Sequence, residues 1–172
     1  MNKLVLVMIA ITSFGCASKS PVVKDVPAEK KISGPIALQN AIPFGSGAAD
    51  EKIKTECPDI NSKLSDFTKQ HGTEVGVEFA QSQKVDKNAK GGVLVMEITN
   101  MHSSGNAFIG HNKSTTIKAQ LYKDGTLVDT TELTRSSGGG MGAGFKGSCS
   151  VLGRTVKTLG EDVAKWAKNY KM

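Results

Sequence analysis

At 172 residues the chain has one domain's length, which argues against a large multidomain enzyme. With 38% hydrophobic, 22% charged and only 5% aromatic residues, the chain is an ordinary globular mixture, which excludes collagen-like, coiled-coil and polytopic membrane classes. The 22 Lys and Arg against 16 Asp and Glu give a formal +6, which permits anionic partners, but no basic run is dense enough to call for nucleic acid.

The first fifteen residues predict an export signal. Lys3 supplies a positive start, residues 4–11 form a short apolar run, and Gly15 stands directly before Cys16. The run is too short for a membrane-spanning helix of about 20 apolar residues. Gly15 and Cys16 resemble the lipobox of bacterial lipoproteins, in which the cysteine is acylated and becomes the mature N-terminus. Ser13 and Phe14 depart from that pattern, which leaves ordinary signal-peptidase cleavage and a soluble exported protein as the alternative. Acyl chains on Cys16 would anchor the protein at about 0.8 kcal/mol per buried methylene. No Asp follows the cysteine, so outer-membrane delivery, facing the periplasm, is expected. Residues 16–31 read as the lipidated N-terminus and a tether, because Pro21 and Pro27 block regular pairing and no periodic pattern runs through them. Without Lys3 the mature chain keeps 21 basic against 16 acidic side chains, so it stays basic.

Residues 32–172 are expected to form a single α+β domain. Ile36, Leu38, Ile42 and Phe44 share one parity and suggest a strand, pushed toward a sheet edge by Pro35 and Pro43. Ile53, Cys57, Ile60, Leu64 and Phe67 recur at helical spacing, with a kink or break at Pro58 and an end at His71 and Gly72. Val75, Val77 and Phe79 alternate as a short strand, and residues 81–90 read as a loop. Residues 93–98 are mostly apolar and on both parities, which predicts a central strand covered on both faces or nearly so. Residues 114–123 and 126–135 alternate around Asp124 and Gly125, the signature of a two-residue type I′ hairpin turn. From Ser150 onward, Leu152, Val156, Leu159, Val163, Trp166 and Tyr170 make one apolar helical stripe, which places the only tryptophan against the sheet. Together these predict a two-layer α+β sandwich: a mostly antiparallel sheet of about five strands, wet on one side, under two amphipathic helices.

Few residues carry a chemical signal. Cys57 and Cys149 each open a helical segment, and in an exported protein they are expected to form a disulfide. A nucleophilic Cys149 thiol with His102 or His111 as base is the sharper alternative. His102 and His111 flank the stretch SSGNAFIG without a third ligand at a metal-site spacing, so no metal and no cofactor is expected. The stretch SSGGGMGAGFKGS at residues 136–148 has no phosphate-loop spacing and reads as a structural or contact loop. Asn106, His111, Arg135, Phe145 and Lys146 would form a contact surface if the two glycine-bearing loops meet at one end of the sheet.

The pair EC at residues 56–57, the block GNAFIGH at 105–111 with Lys113 and Ser114, the blocks LYKDG at 121–125 and RSSGGG at 135–140, and KGSCSVLGRTVKTLGEDVAKW at 146–166 resemble a family of small, uncharacterised proteobacterial envelope lipoproteins. The resemblance implies a lipid-anchored envelope domain whose members carry both cysteines, and it brings no substrate, cofactor or catalytic residue. The expected function is therefore a non-enzymatic binding or scaffold domain for an envelope protein partner. A metal- or thiol-dependent periplasmic enzyme, or a binder of anionic glycan or lipid, is the alternative.

Overall fold

The structure, a computed structural model, describes residues 26–106, 110–138 and 147–172. In chain order the elements are β1 (Ile36–Gln39), α1 (Glu51–Glu56), α2 (Ile60–Val75), β2 (Phe79–Ser82), β3 (Gly92–Asn106), β4 (Gly110–Lys123), β5 (Thr126–Gly138) and α3 (Ser148–Lys168). The five strands form one open sheet in the order β2-β1-β3-β4-β5, and the fold class is α+β. The long strands β3, β4 and β5 pair antiparallel, whereas β1 runs parallel to both its neighbours. Strand β1 is thus an interior strand and not an edge: Pro35 and Pro43 stand outside its four residues, so neither removes a ladder hydrogen bond.

Helices α2 and α3 pack on each other and cover one face of the sheet. Leu94, Met96, Ile98, Ile117 and Leu121 point into this layer and meet Leu64, Leu152, Val156, Leu159 and Val163, all buried. The close approach of the helices rests on Gly160, where a Cβ would lie 2.8 Å from Phe67 Cβ and 2.8 Å from the Thr68 backbone nitrogen. The opposite face is wet. Glu97 pairs with Lys118 and Lys118 with Glu132 across β3, β4 and β5, an exposed row of alternating charge of the kind that stabilises neighbouring strands. Strand β3 is the central strand, as expected, but its second face is covered only in part: Val93 is buried, Val95 half-buried and Glu97 exposed.

Three local expectations shift, each for a packing reason. The helix breaks at Pro58, as the missing donor requires, but α2 runs past His71 and Gly72 to Val75. Gly72 serves close packing instead: a Cβ there would stand 2.5 Å from the Phe79 ring. Gly76, at φ 80°, is the residue that ends the helix, in the left-handed conformation glycine adopts without strain. Val75 therefore belongs to α2, and the strand begins at Phe79 and extends through Gln81 and Ser82. At the other end of the domain the hairpin turn is as expected, with Asp124 at φ 50° and Gly125 at φ 79°.

Two bulges set the faces of the long strands. In β3 the register passes from Ile98↔Ile117 to Asn100↔Thr116, so Thr99 is an extra residue. In β5 it passes from Leu121↔Asp129 to Tyr122↔Leu127, leaving Val128 extra. Each bulge changes the parity of every residue beyond it. Met101 and Ser103 thereby turn toward the helices, and so does Asp129. Asp129 accepts hydrogen bonds from Trp166 Nε1 at 3.1 Å and from the Tyr170 hydroxyl. The two rings meet edge to face at 5.8 Å. Burial, helped by the hydrogen bond to Asp129, raises the Tyr170 hydroxyl well above the usual tyrosine range. Trp166 thus packs against the core as expected, half-buried and with its polar edge satisfied.

Candidate functional site

The end of the sheet away from the Asp124 and Gly125 turn gathers the features that the sequence marks out. Asn112 of β4 pairs with Ser104 of β3 and with Gly138 of β5, so the strand ends that flank both glycine-bearing segments lie side by side. The first of these segments is shorter than expected. Strands β3 and β4 stay paired as far as Asn106↔Gly110, which makes residues 103–106 and 110 strand rather than loop. Likewise β5 continues through Ser136 and Ser137 to Gly138.

Cys57 and Cys149 are joined in a disulfide with their Cα atoms 5.4 Å apart. Cys57 fills the corner between α1 and α2, 2% exposed, and Cys149 is the second residue of α3. The bond therefore ties that corner to the root of α3. With each sulfur bonded to the other, neither is a free thiolate in this structure. The backbones of the two histidines occupy different places on the ladder. His102 pairs with Ser114 and His111 with Gly105, positions of opposite parity on the ladder. Among the described residues no three His, Cys, Asp or Glu side chains gather as a metal site.

The structure also brings into this end Lys113, a residue of the resemblance blocks that was not among the expected contact residues. Lys113 is 2% exposed and projects from β4 toward the helices. Its Nζ donates hydrogen bonds to Ser103 Oγ and, at 3.2 Å, to Ser148 Oγ, the first residue of α3. The β3 bulge at Thr99 makes the first contact possible, since it sets Ser103 directly opposite Lys113 on the helix side. Burial lowers the Lys113 ammonium from its ordinary value, opposed by the negative charge of Glu56. The signal was present in the sequence: Lys113 is in phase with Thr115, Ile117, Ala119 and Leu121, the apolar parity of β4. One step further in, Thr115 Oγ1 and Thr155 Oγ1 share a buried hydrogen bond of 2.8 Å, a second polar link between β4 and α3.

Of the expected contact residues, Arg135 is engaged inside the domain. Its Nε and Nη2 donate to the two carboxylate oxygens of Asp162 at 2.6 and 2.7 Å, a forked pair that fastens β5 to α3 and raises the guanidinium above its usual value. Its planar donor face, the part suited to a partner carboxylate, is already occupied. The backbones of Asn106 and His111 lie at the paired ends of β3 and β4, while their side chains, with Cys16, Phe145 and Lys146, lie outside the described residues.

No known family matches this chain, and no curated protein is significantly similar to it. Its fold recurs in solved structures. A hypothetical protein of Chlamydia trachomatis is 9% identical with a TM-score of 0.52, over 80% of this chain and 98% of that one. A DUF330 protein of Xanthomonas campestris is 9% identical with a TM-score of 0.51, over 77% and 83%. A minor lipoprotein of Acinetobacter baumannii aligns at 14% identity and a TM-score of 0.49, over 78% and 91%. At these identities the first two show a shared fold and nothing further.

Proposed function

We propose that this chain is a lipid-anchored protein of the bacterial envelope, attached through Cys16 to the outer membrane on its periplasmic side. Its domain binds or scaffolds an envelope protein and performs no catalysis. The observation that carries the reading is the Cys57–Cys149 disulfide in a chain that opens with an export-type segment ending at Gly15 and Cys16. A disulfide persists in oxidising compartments outside the cytoplasm, and it fixes the end of the sheet at which the two glycine-bearing segments are rooted. No described helix is long and apolar enough to cross a membrane, so attachment through the lipid is the form of membrane contact proposed.

Two experiments test this. Cells fed a fatty-acid analogue should label the wild-type protein and not Cys16→Ser; equal labelling of both, or of neither, would remove the anchor and leave a soluble periplasmic protein. For the binding role, a photocrosslinking residue at position 106 or 145 in intact envelopes should capture one discrete protein band. The same residue at Lys157, on the outer side of α3, should not. Capture from position 157 alone would move the contact surface elsewhere, and no band from any position would contradict a scaffold role.

A further inference from the structure

Among the described residues Lys113 is the one buried charged side chain at this end of the sheet, and it has no acidic hydrogen-bond partner there. Its hydrogen bonds go to two neutral hydroxyls, Ser103 Oγ and Ser148 Oγ. Glu56, whose charge it feels, forms its own ion pair with Lys52 at 3.8 Å. The chain on either side offers no carboxylate either: residues 105–111 and 138–146 contain neither Asp nor Glu. A desolvated ammonium held only by hydroxyls is costly, and a methionine of similar volume would fill the same space without that cost.

We propose that Lys113, with Ser103 and Ser148, recognises a single carboxylate group carried by a peptide or protein partner. The charge balance selects this ligand chemistry. One buried positive charge is neutralised by one monoanionic carboxylate, whereas a phosphate dianion would leave net negative charge in a desolvated setting. The two serine hydroxyls, both half-buried, are each able to donate to a carboxylate oxygen once that oxygen takes over the ammonium's hydrogen bonds. The inference rests on the binding role proposed above and names the chemistry that role would use.

The test is an NMR titration of the disulfide-bonded chain from residue 16 onward, with Cys16→Ser, which contains every described element. The probes are N-acetylalanine and N-acetylalanine amide, which differ in the carboxylate. The acid should shift the amide signals of Ser103, Lys113 and Ser148 saturably, and the amide should leave them in place. Lys113→Met should weaken binding of the acid about tenfold or more, the loss expected for one charge-assisted contact, while melting no lower than the parent. Ser148→Ala should weaken it by a smaller factor. Equal shifts from acid and amide would overturn the proposal, as would shifts that persist in Lys113→Met or tighter binding of inorganic phosphate. So would a Lys113→Met protein that folds but melts well below the parent, since the lysine would then serve the fold. Capture of a partner in intact envelopes together with failure of this titration would refute the carboxylate site and leave the binding role standing.

Discussion

Breaking the Cys57–Cys149 bond is expected to lower stability by about 4 kcal/mol in the chain-entropy limit, which for a domain of this size corresponds to a melting temperature lower by on the order of 10 °C. The two cysteines are 92 positions apart in sequence, so the bond restricts most of the unfolded chain. In the native state it joins the α1 and α2 corner to the second residue of α3, beside Lys113 and Ser148. Thermal melts with and without reductant give the magnitude. Cys57→Ser and Cys149→Ser should each match the reduced wild type, and the double substitution should be no worse than either. A Cys149→Ser protein far less stable than Cys57→Ser would point to a separate role for Cys149. Peptide mapping without reductant supplies an independent check: one linked pair containing both cysteines is expected, and two alkylatable thiols in the native protein would falsify the bond.

The second large effect is expected at Trp166. Replacing a core tryptophan by alanine typically costs about 3 to 5 kcal/mol, and the half-buried setting of Trp166 places this one near the lower figure. The change removes the ring from the edge-to-face contact with Tyr170 and leaves Asp129 without one of its donors. Trp166→Phe keeps a ring and loses the donor, so it should fall between wild type and alanine. Urea unfolding of the three proteins measures the series. An alanine variant that melts within a degree of wild type would contradict the packing, and a phenylalanine variant as unstable as alanine would assign most of the effect to the Asp129 hydrogen bond.

Which features were legible follows from how far along the chain each cause acts. The type I′ turn at Asp124 and Gly125, the amphipathic period of α3 and the break at Pro58 depend on neighbours within a few residues, and their residues announce them. The Cys57–Cys149 pairing was legible for a different reason: if Cys16 is set aside for lipid and the chain is read as exported, the two remaining cysteines have only each other. The α+β class followed from counting such elements. The interior place of β1 was not legible, because Pro35 and Pro43 mark where a strand stops and say nothing about which strands flank it.

Local period by itself determined the kind of the main elements and one apolar face on the last helix and on the β4 and β5 hairpin, and the cysteine count pointed to the pairing of Cys57 with Cys149. Only the tertiary structure decided the parallel placement of β1, the extra residues at Thr99 and Val128, and hence which side chains face the helices. A bulge leaves no reliable mark in a sequence, yet it inverts the parity of everything after it. That inversion is why Ser103 meets Lys113 and why Asp129 meets Trp166 and Tyr170. The same kind of long-range contact gave Gly72 to packing against Phe79 and left the helix end to Gly76. Residues separated along the chain become neighbours only once strands choose partners, and the Lys113 site at the end of the sheet exists because of that choice.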